Sequence, residues 1–217
     1  EELFGKIEEA LEEYEIKLQA ERSKTVIHKI KIDKGDIEYG SRGEVPGYLL
    51  NQFSMDEHEN YFRVATTTEI WARKPVLYNN VYVLDDDLKV VGKIEAIAPD
   101  ERIYSTRFIG DRLYMVTFKR IDPLFVIDLS NPSNPEILGE LKIPGFSDYL
   151  HPYDEKHIIG IGKETEGNEW GGVSVKGVKL ALFDVSDVKN PKQLDKYEIG
   201  GAGTESEALH DHKAFLF

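Results

Sequence analysis

Histidine and aspartate recur close together in this 217-residue chain, and both side chains can form acid–base sites and transition-metal sites. Asp148 precedes His151 by three residues, and His210 stands two residues before His212. Residues two apart on a strand share a face, so this second pair reaches one ion only if both residues lie on the same strand. Alignment with residues 154–155 instead places the later histidine at a turn, which argues against a shared ion.

No catalytic or cofactor-binding motif accompanies these residues. The chain lacks Gly-x-Ser-x-Gly, a phosphate-binding loop and His-Glu-x-x-His, and it has no cysteine to act as a nucleophile or zinc ligand. Its formal net charge is −13, with 27 basic against 40 acidic residues, whereas a nucleic-acid binder needs a basic face. No apolar run approaches the length of about 18 residues that indicates a membrane span. We therefore predict no cofactor, no nucleic-acid partner and no membrane span.

The first 22 residues have the periodicity of an amphipathic helix. Apolar residues recur at steps of three and four, while glutamates occupy the opposite side. The apolar stripe consists of Leu3, Phe4, Ile7, Leu11, Tyr14 and Leu18. We predict that residues 1–22 form a helix whose stripe packs on the domain formed by residues 23–217.

From residue 24 onward the pattern changes to period two and to β-branched and aromatic residues, which indicates strands. Three segments repeat a run of aliphatic residues that ends in an aspartate, at Asp85, Asp128 and Asp184. The spacing of these aspartates is close to the roughly 40–50 residues of a propeller blade. The sequence therefore predicts an all-β fold built from a repeated unit of four antiparallel strands.

The predicted fold is a β-propeller of four-stranded antiparallel blades. Complete blades are expected over residues 47–97, 102–144 and 147–200. Residues 24–46 supply the last two strands of one further blade, and residues 204–217 supply the first two strands of another. The array is either a closed four-bladed ring with an interlocked blade or part of a larger propeller. The apolar, uncapped C-terminal segment favours the larger propeller.

Several longer motifs resemble a known family. They are Gly43–Glu57, Arg102–Phe108, Asp122–Asp128, Pro144–Tyr153 and Ser206–Phe215. In this order they resemble the secreted β-propeller family of archaea and bacteria, which is distantly related to WD repeats. The resemblance implies an extracellular or cell-surface propeller of archaeal type without agreed catalytic residues. It also implies a fragment without the family's export signal, its first blades and its C-terminal blades.

In such a propeller, the first strand of each blade faces the central channel. Polar residues on these strands are candidates for lining the channel: Ser54, Asp56, Tyr104, Arg107, Asp148, His151, His210 and Asp211. Histidine and aspartate from successive blades are able to hold a metal there. Because no ligand spacing motif is present, we favour channel lining or bonding to neighbouring strands, and we predict no metal.

The loops between the second and third strands of each blade are expected to emerge on one face. These loops carry the predicted binding residues Trp71, Arg73, Lys74, Lys119, Arg120 and Trp170, the last within an insertion over residues 164–176. Exposed tryptophan and arginine are the residue types that dominate binding hot spots. The alternative is that both tryptophans fold back over the hydrophobic ends of the blades.

Three hypotheses about function follow from these patterns. The first is a binding and scaffolding propeller that engages a protein or a glycan through the face with both tryptophans. The second is a channel-centred hydrolase, with or without a metal, that uses Arg107, Asp148, His151 and His210. The third is a structural component of the cell surface that self-assembles. The absence of a catalytic motif favours the first hypothesis.

Overall fold

The computed structural model of the chain describes residues 2–71, 75–119, 122–168 and 172–217. These residues form one long helix, the strands β1 to β14 and three short 3-10 helices. The chain divides into two compact units, Glu1–Glu101 and Arg102–Phe217. Within the described ranges, no helix is long and apolar enough to cross a membrane. The strands and the helix of the described residues confirm the predicted all-β class with one N-terminal helix.

The first sheet is a two-stranded antiparallel ribbon of β1 (Lys24–Asp33) and β2 (Asp36–Pro46). The connecting residues Lys34 and Gly35 both have positive φ, 48° and 99°. Positive φ at both central positions is the conformation that a two-residue hairpin requires. The ribbon covers the residues 24–46 for which the sequence predicts two strands.

The second sheet has four antiparallel strands that pair in sequence order. They are β3 (Met55–His58), β4 (Tyr61–Ile70), β5 (Val76–Leu84) and β6 (Val90–Ile97). A 3-10 helix at Gln52–Ser54 leads into β3. The core of this unit brings β2 and the second sheet together, through Val45, Val64, Tyr82, Leu84 and Leu88. This sheet matches the blade that was predicted over residues 47–97.

The N-terminal helix α1 spans Glu2–Arg22, as predicted, but most of its apolar stripe does not pack on the unit. The exposed members of the stripe are Leu3, Phe4, Ile7, Leu11 and Tyr14. Only Leu18 is half-buried, near the end of the helix that contacts β4. The helix contacts β4 near its C-terminal end, and the rest of the stripe is exposed among the described residues.

The second unit contains two further sheets of four antiparallel strands, again in sequence order. The third sheet consists of β7 (Arg102–Ile109), β8 (Arg112–Phe118), β9 (Asp122–Asp128) and β10 (Glu136–Ile143). The fourth sheet consists of β11 (Phe146–Pro152), β12 (His157–Gly167), β13 (Val173–Asp184) and β14 (Lys192–Ile199). A shared core joins the two sheets through Tyr114, Val116, Leu124, Val126, Leu150, Ile158, Ala181, Phe183 and Val185. These sheets match the blades predicted over residues 102–144 and 147–200.

The insertion predicted over residues 164–176 is mostly strand in the structure. Strand β12 continues to Gly167 and β13 begins at Val173, with Thr165 paired to Val175. The alternating glutamates and valines of this segment lengthen the hairpin beyond the other sheets.

The repeated aspartates have a structural role at the turn that follows the third strand of each sheet. Oδ1 of Asp85 accepts the backbone N–H of Asp87 at 3.0 Å, and Oδ1 of Asp184 accepts that of Ser186 at 2.8 Å. Asp128 makes the equivalent bond to Ser130. An aspartate that bonds the backbone two residues on is a common turn-forming device. The repeat in the sequence is therefore a repeat of turn geometry.

The last segment differs from its prediction. Residues 204–217 contain 3-10 helices at Glu207–Leu209 and His212–Ala214, and none of these residues lies in a strand. The side chains of Ser206 and Asp211 accept the N–H groups of Ala208 and Lys213. Such local bonds compete with strand formation, and none of the described strands pairs with the segment.

Candidate functional site

The loop between β4 and β5 presents Trp71, whose side chain is 73% exposed. The backbone is held in place because Nε2 of Gln19, on α1, donates to the carbonyl oxygen of Trp71 at 2.9 Å. The indole ring is thus not folded back over the end of the sheet. Of the two predicted alternatives, an exposed ring and a ring folded back over the blade, the structure shows the exposed ring for Trp71.

Only part of the predicted binding set lies within the described residues. Lys119 is exposed at the end of β8, in the loop of the third sheet that is topologically equivalent to the Trp71 loop. Arg73, Lys74, Arg120 and Trp170 lie outside the described residues. The grouping of these cations and tryptophans on one face therefore stays a prediction.

In the first unit, the channel-lining candidates Ser54 and Asp56 stand at the start of the second sheet. Ser54 is fully buried in the 3-10 helix before β3. Asp56 lies opposite Arg63 in the strand register, and Oδ2 of Asp56 accepts a hydrogen bond from Nε of Arg63 at 3.1 Å. Because Arg63 is only 3% exposed, Asp56 compensates a buried cation.

In the second unit, Tyr104 and Arg107 lie on β7. The Tyr104 ring packs against the rings of Phe118 and Phe146, with centroids 5.4 and 5.0 Å away. Nε of Arg107 donates to the carbonyl oxygen of Leu150 at 2.8 Å, and its guanidinium lies 5.2 Å from the centroid of the Tyr149 ring. Burial lowers the pKa of Arg107, while Tyr149 opposes that shift. These contacts join the inner strands of the third and fourth sheets.

Asp148, on β11, has the most unusual electrostatic environment of the candidates. Its side chain is half-buried, and the resulting desolvation of the carboxyl raises its pKa to about 7. The positive charges of His210 and Lys163 act against the shift, and the carboxylate of Glu205 adds to it. A carboxyl with a pKa near neutrality is able to exchange a proton at physiological pH.

Lys163 links β12 to the C-terminal segment. It is 7% exposed, and its Nζ donates to Oε1 of Glu205 at 2.9 Å and to the carbonyl oxygen of Thr204. The 3-10 helix Glu207–Leu209 contacts β11 and β12 beside it. Residues 204–209 are therefore held against the strands that carry Asp148 and Lys163.

The side chain of His151 packs against aromatic residues of β11 and of the C-terminal segment. Its Nδ1 lies 3.0 Å from the hydroxyl oxygen of Tyr149, and its ring is 5.2 Å from that of Phe215 and 5.0 Å from that of Phe217. Burial lowers the pKa of His151, and the charge of Arg107 lowers it further. These surroundings favour the neutral form of the imidazole within an aromatic cluster.

The last two candidates lie near the C-terminal 3-10 helices. The His210 side chain is 72% exposed, and its Nε2 is 3.8 Å from Oε2 of Glu205. Asp211 caps the last 3-10 helix, since its Oδ1 accepts the N–H of Lys213 at 3.0 Å. Within the described ranges, none of the eight candidates belongs to a group of three ligand side chains close enough to share an ion.

Among the described residues of the second unit, one carboxyl is thus able to exchange a proton near neutrality. Asp148 lies near His210, whereas Arg107 and His151 are engaged with Leu150 and with aromatic rings. Sequence reasoning missed Lys163 and Glu205, which surround Asp148. The only signal for Lys163 was a lysine among the apolar and glycine residues of a strand.

A family model described as a Beta propeller domain matches residues 8–217. The chain belongs to this β-propeller family. The three complete sheets are accordingly propeller blades, and the ribbon of β1 and β2 contains two strands of the same kind.

Two curated relatives of this propeller come from archaea, and both are described as uncharacterized proteins. The protein from Methanocaldococcus jannaschii is 45% identical over 215 residues, which cover 99% of this chain and 32% of the relative. The protein from Archaeoglobus fulgidus is 50% identical over 192 residues, which cover 88% of this chain and 28% of the relative. The chain thus spans about a third of the length of the relatives it matches.

Proposed function

We propose that this propeller is a binding and scaffolding module that recognises a protein or a glycan through the loops between the second and third strands of its blades. The exposed indole of Trp71 carries the proposal. Tryptophan gives a large contact area at low entropic cost, and it is among the residues that dominate interface energies. Arg73, Lys74, Lys119, Arg120 and Trp170 complete the proposed face.

The way Trp71 is held supports a recognition role. Its backbone carbonyl is fixed by Gln19, while the ring projects into solvent beyond the end of β4. A ring that is anchored at its backbone loses less conformational freedom when a ligand binds. This loop is therefore suited to present an anchor side chain.

We also propose that the propeller acts outside the cell or at its surface. The resemblance of segments such as Gly43–Glu57 and Pro144–Tyr153 to secreted archaeal and bacterial propellers supports this location. The same resemblance supports a distant relationship to WD repeats and a longer parent chain. Detection of the protein on intact cells with an impermeant surface label tests the location, and labelling that requires lysis contradicts it.

The binding proposal is tested by replacing Trp71 and Trp170 together with alanine. Two probes are applied to the immobilised protein: an array of oligosaccharides and an extract of archaeal envelope proteins. We expect the double variant to lose at least about 2 kcal/mol of binding free energy for any probe that the unchanged protein retains, which is the loss typical of a hot-spot residue.

The matched control is Tyr197→Ala. Tyr197 is also an exposed aromatic residue, 69% exposed, but it lies on the outer strand β14 rather than in a loop between second and third strands. We expect this variant to retain the probe. Equal retention by the double tryptophan variant would show that these loops do not form the binding face.

A second candidate function is proton-transfer catalysis at Asp148. The pKa of about 7 favours it, because this value suits a general acid or base at neutral pH. A panel of hydrolase substrates, tested with the unchanged protein and with Asp148→Asn, distinguishes it from binding alone. Turnover that depends on Asp148 supports an enzyme, and turnover that survives the substitution excludes this site.

A further inference from the structure

The bulges in β7 and β11 place two pairs of residues at equivalent positions in the third and fourth sheets. In each sheet the pairing of the first strand with the second shifts by one residue, at Tyr104 in β7 and at Asp148 in β11. A bulge of this kind re-aims the side chain of its extra residue. Phe118 and Lys163 are also equivalent, because each pairs with the residue two places before its bulge. The two sheets therefore carry different side chains on the same framework.

In the third sheet, these positions form an aromatic contact with the fourth sheet. The rings of Tyr104 and Phe118 both pack against the ring of Phe146, with centroids 5.0 and 4.8 Å away. Phe146 begins β11 and follows Gly145, whose φ is 86°. Phenylalanine is uncharged and tyrosine ionises only near pH 10, so the charge of this contact does not change near neutral pH.

The equivalent contact of the fourth sheet is made by charged groups. Lys163 is 7% exposed, and its Nζ donates to the carbonyl oxygen of Thr204 and, at 2.9 Å, to Oε1 of Glu205. Thr204 follows Gly203, whose φ of 85° repeats the glycine conformation before β11. Asp148 lies close enough to Lys163 and Glu205 for their charges to act on its carboxyl. We call Asp148, Lys163 and Glu205 the charged joint.

Residues 204–210 are held on β11 and β12 by this joint and by apolar burial. The 3-10 helix Glu207–Leu209 contacts both strands, and its last two residues are buried. Further along the chain, the ring of Phe215 packs against the ring of His151. The segment is therefore attached by charged groups near its start and is followed by an aromatic contact.

The charge of the joint changes with the protonation of Asp148. While this carboxyl is protonated, Lys163 and Glu205 pair as single opposite charges. Ionisation places a second carboxylate near the same lysine. A histidine such as His210, whose Nε2 is 3.8 Å from Oε2 of Glu205, loses its charge near the same pH. Of the charged groups on adjacent elements, Arg107 bonds Leu150, Glu164 bonds Lys196, and Glu207 is exposed.

We propose that residues 204–210 form a pH-dependent latch on β11 and β12, which the charged joint keeps closed in acid and loosens as the pH rises to neutrality. Opening of the latch exposes Asp148 to water, where a carboxyl ionises freely. In the closed latch, desolvation raises the pKa of Asp148 to about 7, from an ordinary value of 3.8. The contribution of Asp148 to closure is therefore complete below pH 3.8 and is lost progressively as the pH rises to about 7.

Hydrogen exchange of single backbone amides in the 217-residue chain measures this opening. The reporters are the N–H groups of Leu209, His210 and Asp211, which donate to the carbonyl oxygens of Ser206 and Glu207. Protection factors remove the intrinsic pH dependence of exchange. Between pH 5 and pH 8 we expect the reporters to lose about tenfold to a hundredfold of their protection, because each pH unit between the two pKa values shifts the opening equilibrium by up to about tenfold.

Ala214 and Phe215 supply control amides beyond the latch. Their N–H groups donate to the carbonyl oxygens of Asp211 and His212, and the ring of Phe215 is held by its aromatic contact rather than by the charged joint. We expect their protection not to fall over this pH range. An equal fall for the reporters, for these amides and for the paired amides of β12 would indicate unfolding of the whole unit and would overturn the latch.

Three variants identify the group that titrates. Asp148→Asn should hold the reporters' loss of protection below about threefold, because only His210 then changes its charge in this region. Asp154→Asn removes an exposed carboxylate between β11 and β12 and should leave the loss unchanged. Full pH dependence in Asp148→Asn, or its disappearance in His210→Asn, would overturn the proposal.

Discussion

Replacement of Asp148 with asparagine is expected to stabilise the protein at pH 8 and to leave its stability at pH 3 nearly unchanged. The folded protein holds the carboxyl at a pKa of about 7, above the ordinary value of 3.8. Each unit of that difference corresponds to about 1.4 kcal/mol, so the gain at pH 8 reaches at most about 4 kcal/mol. Asparagine keeps the shape of the side chain and removes the charge.

The direction of this effect follows from the raised pKa. Folding favours the protonated carboxyl, so ionisation of Asp148 favours the unfolded chain. The unchanged protein therefore has the full contribution below pH 3.8 and loses it progressively as the pH rises to about 7. Urea denaturation of both proteins at a series of pH values measures the difference in free energy of unfolding.

Asp154→Asn is a control of opposite sign. The N–H of Lys156 and the His157 ring bond the Asp154 carboxylate and lower its pKa, so loss of this charge should destabilise the protein above its ordinary pKa. A gain from Asp148→Asn that is the same at pH 3 and pH 8 would show that Asp148 is not held protonated by the fold.

Replacement of Gly162 with alanine is expected to cost about 3 kcal/mol or more of unfolding free energy, at the upper end of what overpacking causes. A Cβ atom on Gly162 would overlap the carbonyl oxygen of Phe146 and the Cα atom of Ser147. Ser147 is the partner of Gly162 in the pairing of β11 with β12. Because the obstructing atoms belong to the backbone, no side-chain rotation relieves the overlap.

Gly167→Ala is the matched control on the same strand. A Cβ atom there meets nothing within 4 Å, so this substitution should be neutral or stabilise the strand by about 0.5 kcal/mol. Thermal unfolding of both variants gives the comparison. Similar melting temperatures for the two variants would contradict the close approach of β11 and β12 at Gly162.

The strands were predictable from the sequence because their determinants are local. Alternation of apolar residues and the aspartates at positions 85, 128 and 184 mark each third strand and its turn. The C-terminal segment was not predictable in this way. Phe215 and Phe217 alternate like strand residues, yet a strand forms only beside a partner, and none is available to them in the described structure.

The candidate site was less predictable because burial and charge depend on residues far apart in the chain. Loop placement indicated Trp71, but the bond that holds its backbone carbonyl comes from Gln19, on a different element. The environment of Asp148 depends on Lys163, Glu205 and His210, which follow it by whole strands. Charged residues that come together from such distant positions leave no spacing pattern in the sequence.

The fluorescence of Trp71 tests the central claim, recognition through the loops between second and third strands, most directly. The chain has two tryptophans, so Trp170→Phe leaves Trp71 as the single emitter. Without ligand, its emission should be that of an indole in water and should be quenched readily by acrylamide. On saturation with an oligosaccharide or envelope protein retained by the immobilised propeller, the account predicts a blue shift and protection from quenching. Unchanged emission and quenching at saturation would contradict it.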